Sequence, residues 1–383
     1  MMDTKNTQPY LPHELIIQIL LRLPVKSLLR FKCVCKLWFS LISDTHFANS
    51  HFQLTAATHT HRIMFVSYSD PLQTRFIDFE ASLHQDTASV SLNLNFMPSE
   101  SHSYIEIKGS CRGFIFLYSY SNIYLWNPST GLHKQIPLSP IDSKLDAVYF
   151  CYLYGFGYDQ SRDDYLVVLM SYDTTLANVS SHLEVFSLRD NKWKEIEGIN
   201  LPYMNASDDP RTGSFFNGAI HWLAYGVDLS VNLIVAFDLM ERKLLEMSLP
   251  DDFYYELSFC ELWVFGDFLS LCVMGDDTVE IWVMKEYKVH SSWTKTLVLP
   301  TQYFSPLCLT KSGDIVGADG GNGLVKYDDK GQLLEHRSYC NVRGRSQAIM
   351  YTESLLSPPC FLSEPKKMTQ TRRKRSTRRR MKL

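Results

Sequence analysis

The sequence predicts an α+β multidomain protein, in which three short N-terminal helices precede an all-β propeller of about six blades. Two observations predict this order. Apolar residues follow a helical spacing near the N-terminus, whereas short β-rich runs separated by Gly-containing turns dominate after residue 62. The β runs also recur at intervals of about 45–60 residues, a period typical of blades with about four strands each.

The first predicted helix covers residues 13–23. Leu11-Pro12 precedes it, and Pro fits the first turn of a helix because its missing N–H is not needed there. The apolar residues follow the spacing i, i+1, i+4, i+5 and i+8, namely Leu15, Ile16, Ile19, Leu20 and Leu23. Leu23-Pro24 ends the run, since the residue before Pro resists the α region.

Two further helices are predicted over residues 25–32 and 34–42. All three predicted helices carry more apolar residues than they can hide against one another. The surplus includes Ile17, Leu21, Leu28 and Phe39. A large aliphatic side chain left in water forgoes roughly 1.5–3 kcal/mol. Four or five of them forgo about 10 kcal/mol, comparable with the whole stability of a small domain. We therefore expect a second apolar face that binds another protein.

Residues 11–52 resemble the F-box family. The positions in register are Leu11, Pro12, Glu14, Leu15, Ile19, Leu20, Leu23, Pro24, Leu28, Leu29, Val34, Cys35, Lys36 and Trp38. The resemblance implies binding of the Skp adaptor subunit of cullin–RING ubiquitin ligases. The adaptor contacts that it implies are Leu11, Pro12, Leu15, Ile16, Leu23, Pro24, Leu28, Val34, Cys35 and Trp38. Some of these must pack internally, and the sequence alone does not separate them.

The β-rich region contains a recurring unit of strand, Gly turn, strand, third strand and a last strand that runs towards Pro. The units span residues 103–138, 152–196, 213–250, 259–300 and 305–339, and the last lacks the closing Pro. Asn217-Gly218 is the strongest hairpin signal among their turns. A sixth unit is expected from residues 61–96, closed by a final strand at 348–351. A β-sandwich pair or another barrel is the alternative.

These units resemble the F-box-associated domain that follows plant-type F-boxes, a domain often described as kelch-like. The motifs that carry the resemblance are LWNPSTG at 125–131, YGFGYD at 154–159, FNGAIHWLA at 216–224, IVAFDL at 234–239 and VEIWVMKEY at 279–287. The fit to a kelch consensus is poor, because only Gly320-Gly321 forms a glycine doublet. The predicted domains are a disordered N-terminus (1–10), the F-box (11–52), a linker (53–62), the β-propeller (63–355) and a disordered basic tail (356–383).

The bulk properties indicate a reduced, non-secreted protein. The N-terminus lacks the features of a signal peptide, and no apolar run approaches the roughly 18 residues of a membrane span. Nine scattered Cys read as reduced core thiols, and Cys33 and Cys35 lack the second pair that a zinc site needs. We expect a cytoplasmic or nuclear location, no cofactor and no metal.

Catalytic motifs are absent from the sequence, so a non-catalytic protein is expected. The glycines of 317–323 read as turns, and the pairs Asp163-Asp164 and Asp276-Asp277 read as solvated loops. Six Trp lie on or beside predicted strands: Trp126, Trp193, Trp222, Trp263, Trp282 and Trp293. They fit an inter-blade core, or alternatively a glycan-binding, lectin-like propeller. The asymmetric loops around 139–151, 171–182 and 200–212 are the candidates for recognition.

The charge is divided unevenly along the chain. Residues 366–383 contain ten Lys or Arg and no carboxylate, which leaves 28 basic against 41 acidic residues elsewhere, a balance of −13. The tail fits a nuclear import signal, a non-specific contact with nucleic acid or another acidic surface, or an incidental extension. Nucleic acid is not an expected partner of the body.

Together the two resemblances imply the substrate-recognition subunit of an SCF-type (Skp–cullin–F-box) E3 ubiquitin ligase. The F-box would bind the Skp adaptor and, through it, the cullin–RING ligase. The propeller would bind a target protein for ubiquitination.

Overall fold

The computed structural model describes residues 11–56, 61–68, 73–84, 90–91, 94–98, 105–119, 122–140, 153–173, 180–196, 203–205, 211–226, 232–251, 253–339 and 346–358. The predicted N-terminal disorder (1–10) and the basic stretch 366–383 lie outside these residues. So do most of the three asymmetric loops named above.

The chain begins with four helices, which we call the helical unit (11–56). They are α1 His13–Leu20, α2 Val25–Phe31, α3 Lys36–Ile42 and α4 Thr45–Ala56. Pro12 and Pro24 each precede a helix, as their spacing predicts. Cys35 caps α3, since its Sγ accepts a hydrogen bond from the backbone N–H of Trp38. The first helix ends three residues earlier than expected, at Leu20.

Helix α4 was not predicted from the sequence. Its residues THFANSHFQLTA include several polar residues and give no clear apolar stripe. Asp44 starts the helix, because its Oδ1 accepts the backbone N–H of Phe47 at 3.0 Å. The expected linker 53–62 is correspondingly shorter, since α4 runs to residue 56 and the first strand begins at residue 61.

Six sheets follow, antiparallel apart from one short parallel pairing, so the predicted number of blades is confirmed. Blade 1 contains β1 His61–Ser67, β2 Gln73–Ile77 and β3 Val90–Ser91; blade 2 contains β4 Glu106–Cys111, β5 Phe114–Ser119, β6 Asn122–Trp126 and β7 His133–Ile136. Blade 3 contains β8 Leu153–Asp159, β9 Asp164–Asp173, β10 Ser180–Ser187 and β11 Lys192–Glu195.

The remaining blades follow the same order. Blade 4 contains β12 Tyr203–Asn205, β14 Ser214–Phe216, β15 Ala219–Gly226, β16 Asn232–Asp238 and β17 Lys243–Ser248, while β13 Arg211–Thr212 pairs in parallel with β8. Blade 5 contains β18 Cys260–Phe265, β19 Phe268–Met274, β20 Val279–Met284 and β21 Trp293–Leu299. Blade 6 contains β22 Ser305–Leu309, β23 Ile315–Ala318, β24 Gly323–Tyr327 and β25 Leu333–Ser338.

The last strand, β26 Ser346–Thr352, closes the ring by joining blade 1. It pairs antiparallel with β1 in a continuous register from His61↔Thr352 to Ser67↔Ser346. The predicted closure by residues 348–351 is therefore confirmed. Pairing the first and last strands of the propeller leaves no open edge between the first and last blades.

The innermost strands of successive blades contact one another around a central channel: β26, β4, β8, β14, β18 and β22. Apolar clusters fill the spaces between neighbouring blades, so both faces of most inner and middle strands are buried. All five residues of β24 (Gly323–Tyr327) are buried in this way.

The helical unit packs directly on blades 2 and 3. Its buried residues Leu20, Leu28 and Ile42 belong to the same apolar cluster as Phe114 and Phe156 of the propeller. One continuous core therefore joins the two parts of the chain.

Arg112, in the turn between β4 and β5, stabilises the contact between the helical unit and the propeller. Its guanidinium lies 4.7 Å from the ring centroid of Phe52 in α4 and 4.0 Å from that of Tyr158. It also donates a 3.2 Å hydrogen bond to Asn49 Oδ1.

Residues 353–358 follow β26 and form a strap against blade 2. Leu355 and Leu356 are buried in the cluster shared with the helices, and the described residues of the strap run to 358. Asn127, from the LWNPSTG motif, holds the strap by donating to the carbonyl oxygens of Ser354 and Leu356. Gly113 leaves room for it, since a Cβ there would lie 2.0 Å from Ser354 Oγ.

Candidate functional site

Apart from Leu54 in α4, six large apolar side chains of the helical unit remain in solvent. Each exposes between 45% and 60% of its surface, and they are Leu11, Leu15, Ile19, Val34, Leu37 and Phe39. Leu11, Leu15 and Ile19 are spaced by four residues and share one face of α1 and its entry. We call this set the exposed apolar residues of the helices.

These side chains stay exposed although the helical unit has a core available. Leu20, Val25, Leu28 and Ile42 already fill the inner side and continue into the propeller core. Fully burying such a side chain gains roughly 1.5–3 kcal/mol, and about half of the surface of these six is exposed, so covering them would gain about 5–9 kcal/mol. An exposed apolar set of this size is typical of a surface that binds another protein.

The structure separates the predicted adaptor contacts into three groups. Leu11, Pro12, Leu15, Pro24, Val34 and Cys35 are exposed, whereas Ile16, Leu23 and Trp38 are half-buried. Leu28 is fully buried in the shared core, so its side chain does not reach the surface and cannot contact a partner in this conformation. Trp38 packs its ring 5.3 Å from that of Phe31.

Sequence reasoning left three exposed residues out of the site. Ile19 lies one helical turn after Leu15, so the spacing could have identified it. Leu37 and Phe39 lie two residues apart on a helix of seven residues, five of them apolar, and periodicity does not show which of the five face water. Of the residues expected to be surplus, Ile17 and Leu21 are half-buried, Leu28 is buried and Phe39 is exposed.

A buried histidine fixes the helical unit from within. His51 in α4 hydrogen-bonds through Nε2 to the carbonyl oxygen of Leu23 at 2.8 Å, across the turn between α1 and α2. Burial lowers the pKa of His51, partly opposed by this hydrogen bond. The neutral imidazole therefore ties the first two helices to the helix that contacts the propeller.

A second candidate surface is the mouth of the central channel, where a cavity of about 1400 Å³ opens. The turn at Arg112 contacts the helical unit, so the helices lie on the face where the first strand of each blade ends. Tyr254, Phe259 and Tyr303 line the cavity and lie just before β18 and β22. Because first strands begin there, this mouth is on the face opposite the helices.

Most Trp residues lie between blades. The indole of Trp222 is buried in the cluster between blades 3 and 4, and Trp193 and Trp293 donate to the carbonyl oxygens of Pro137 and Ser248 in the preceding blades. Of the six Trp named from the sequence, only Trp263 lines the cavity. The residues that suggested a glycan site are thus mainly structural.

The acidic pairs and the glycine-rich stretch have structural partners. Asp164 accepts hydrogen bonds from Ser187 Oγ and the backbone N–H of Arg189, and burial raises its pKa. Asp319 Oδ1 accepts the backbone N–H groups of Gly321 and Gly323, which shapes the turn. Within the ranges that the structure describes, no three His, Cys, Asp or Glu side chains cluster as metal ligands would. None of the described helices has the length and hydropathy of a membrane span.

Comparison with known proteins agrees with this architecture. Residues 9–53 match the F-box-like family, and residues 55–319 match the F-box associated beta propeller domain. The Arabidopsis thaliana F-box/kelch-repeat protein At3g23880 is 29% identical over 371 residues, covering 93% of this chain and 99% of that protein. The Arabidopsis F-box protein CPR1 is 28% identical over 378 residues, covering 90% and 87%.

Among solved structures, the Dos1 propeller aligns with a TM-score of 0.37 at 12% identity, covering 71% of this chain and 68% of that one. The family assignment rests on the domain matches, since the propeller match alone spans more than half of the chain. With an F-box-like segment on the helical unit and that domain on most of the propeller, the chain belongs to the F-box proteins that carry an F-box-associated β-propeller.

Proposed function

We propose that this F-box protein is the substrate-recognition subunit of an SCF-type E3 ubiquitin ligase. The helical unit would bind a Skp-type adaptor and, through it, the cullin–RING ligase. The propeller would bind a target protein, and the chain itself would catalyse no reaction. The observation that carries the proposal is the set of six exposed apolar residues on helices that already have a complete core.

The exposed residues supply the binding energy in this proposal. Leu15 and Ile19 extend one apolar stripe, and Val34 and Leu37 add a second at the start of α3. Contacts of this kind, at about 0.8 kcal/mol per buried CH₂, suffice for a stable helix-mediated interface. The half-buried Ile16, Leu23 and Trp38 would support the interface from below and contact the adaptor at their exposed edges.

Charge adds a preference for an acidic partner. The helical unit contains five Lys or Arg and only two carboxylates, whereas the remainder of the chain before residue 366 is acidic. Arg22, Lys26 and Arg30 are exposed on or beside α1 and α2. Oppositely charged surfaces raise the rate at which two proteins associate, so an adaptor with acidic residues around its groove would be favoured.

The rigid contact between the two parts gives the mechanism. The core shared by the helices and blades 2 and 3, together with Arg112 and the strap, fixes the propeller relative to the bound adaptor. A target held on the propeller would then stay near the ubiquitin-carrying enzyme at a high effective concentration. Such a subunit acts by position, in the cytoplasm or the nucleus where SCF ligases would meet their targets.

The experiment is capture of a purified Skp-type adaptor by the full chain. Leu15→Asp places a charge in the apolar stripe and should abolish capture, and Leu37→Asp should do the same from α3. Leu333→Asp, at an equally exposed apolar residue of the outer strand β25, is the matched control and should leave capture unchanged. If wild-type protein captures no adaptor, or both helix variants capture it normally, the proposal is wrong.

A further inference from the structure

The central channel carries a feature that the adaptor-binding role does not use. Its cavity of about 1400 Å³ is lined by the inner strands of five blades, β4, β14, β18, β22 and β26, and by the segments that precede β18 and β22. A volume of this size is larger than a typical small-molecule pocket and fits a stretch of extended peptide.

The charges that line this cavity are all negative within the described part of the chain. Glu256, Glu261 and Asp276 contribute carboxylates, and no Lys, Arg or His is found among the described lining residues. Glu256 and Asp276 are exposed at the mouth, whereas Glu261 lies deeper and accepts a 2.8 Å hydrogen bond from Ser305 Oγ of the next blade. The buried lysines of the propeller lie elsewhere and are already paired, Lys108 with Glu106 and Lys326 with Glu335.

Aromatic side chains surround these carboxylates. Tyr254 is 80% exposed and its ring stacks on that of Tyr255 with centroids 4.6 Å apart, while Phe259 and Tyr303 are exposed nearby. The pKa of Tyr303 is raised by burial and further by the nearby carboxylates of Glu261 and Asp319. Aromatic rings beside carboxylates form a favourable site for a guanidinium or ammonium group.

We propose that the channel mouth of this propeller binds a basic, Lys- or Arg-bearing segment of a protein partner. The proposal rests on the proposed function, because it names the chemistry of the target that the propeller would recognise. The occupant is chosen by charge complementarity: three carboxylates and an aromatic rim favour a cationic peptide over an acidic one or a neutral glycan. The chain's own basic residues 366–383 share this chemistry and would compete for the same site.

The test is titration of a short fluorescent Arg-rich peptide with the full chain and with a chain ending at residue 365. We expect saturable binding to at least one of the two, tighter to the shorter chain if the tail competes. The same peptide with every Arg replaced by Gln should bind at least about tenfold more weakly, and the version with Glu should not bind. Saturable binding to neither chain, or equal binding of the Glu peptide or of a neutral oligosaccharide at this site, would overturn the proposal.

Charge-matched variants localise the binding to the channel. Glu256→Gln with Asp276→Asn should weaken Arg-peptide binding about tenfold. Asp267→Asn with Asp329→Asn removes the same charge from exposed turns outside the cavity and should leave binding unchanged. Equal weakening by both pairs would show general attraction to an acidic protein and refute the channel site. Adaptor capture by the same preparations separates the two proposals, because normal capture without peptide binding overturns only this one.

Discussion

The indole N–H of Trp222 donates a 2.8 Å hydrogen bond to the backbone carbonyl oxygen of Tyr154, across the junction between blades 3 and 4. The indole of Trp222 is almost fully buried there. Two hallmark motifs of the family, YGFGYD and FNGAIHWLA, therefore meet at one contact. Gly155 belongs to the same contact, because the indole occupies the space where a side chain on residue 155 would lie.

The first prediction is that Gly155→Ala destabilises the propeller. The added Cβ would lie 2.7 Å from Trp222 Cζ2 and 2.8 Å from Ile220 Cγ2, and both side chains are held in a filled core. Overpacking of this kind typically costs about 1–3 kcal/mol in the free energy of unfolding. Chemical denaturation of the purified chain measures it.

Gly321→Ala is the control for this substitution. Its Cβ would meet only the Asp319 side chain, at 3.4 Å, and its φ lies outside the left-handed region. The free energy of unfolding should change little. An equal loss in both variants would mean that the close packing of Trp222 against blade 3 is not what Gly155 preserves.

The sequence predicted most of the fold because the relevant signals are local. Each blade repeats within about 45–60 residues, so the strands and Gly turns recur visibly along the chain. Helix α4 escaped prediction because two of its buried positions, His51 and Thr55, are polar and interrupt the apolar stripe. Its packing partners lie in the turn at Leu23 and in the propeller, which local spacing does not reveal.

The functional surfaces were less predictable. Leu15 and Leu28 both fit a helical stripe, yet one is exposed and the other is buried against the propeller, and only the tertiary contact distinguishes them. The channel combines residues that are far apart in sequence, such as Ser110, Glu261 and Gln347. Closure of the ring brings them together, so no sequence window could have contained the site.

The second prediction separates these two leucines. Leu28→Ala removes a fully buried side chain and should cost about 2–5 kcal/mol of unfolding free energy. Leu15→Ala removes an exposed side chain and should change stability by less than about 0.5 kcal/mol, while weakening adaptor binding. Denaturant unfolding and adaptor titration on both variants measure the two effects. A Leu15→Ala protein that is strongly destabilised would contradict its assignment to the binding surface.

The third prediction concerns pH. His221 accepts from the Tyr287 hydroxyl and bonds to the Ser214 carbonyl oxygen, between blades 4 and 5. Burial lowers its pKa from 6.5 to about 4. Between pH 6.5 and 4 the unfolded chain therefore binds more protons than the folded chain. The contribution of neutral His221 to the free energy of unfolding is fully present above pH 6.5 and is lost as the pH falls towards 4, by on the order of 3 kcal/mol.

His221→Gln removes this titration. The variant should be less stable at neutral pH, but its unfolding free energy should fall less steeply between pH 6.5 and 4 than that of the wild type. Urea denaturation across this pH range gives both curves. Parallel curves for the two proteins would show that His221 does not titrate in the way its burial implies.

The fourth prediction tests how the propeller is coupled to the helices. Asn127 Oδ1 accepts the backbone N–H groups of Ser129 and Thr130, while Nδ2 donates to the strap at Ser354 and Leu356. Asn127→Asp keeps the acceptor but replaces the donor by a carboxylate oxygen facing carbonyl oxygens. The loss should be about 1–3 kcal/mol, concentrated in the strap.

Hydrogen exchange measures where that loss falls. Amides of residues 353–357 and of α4 should exchange faster in Asn127→Asp, because the strap and the helices share one apolar cluster. Asn122→Asp is the control, since an aspartate there still accepts the hydrogen bond from Gln135 Nε2. If exchange increases in the strap but not in α4, the two move independently, and Arg112 with the helix core must provide the coupling by themselves.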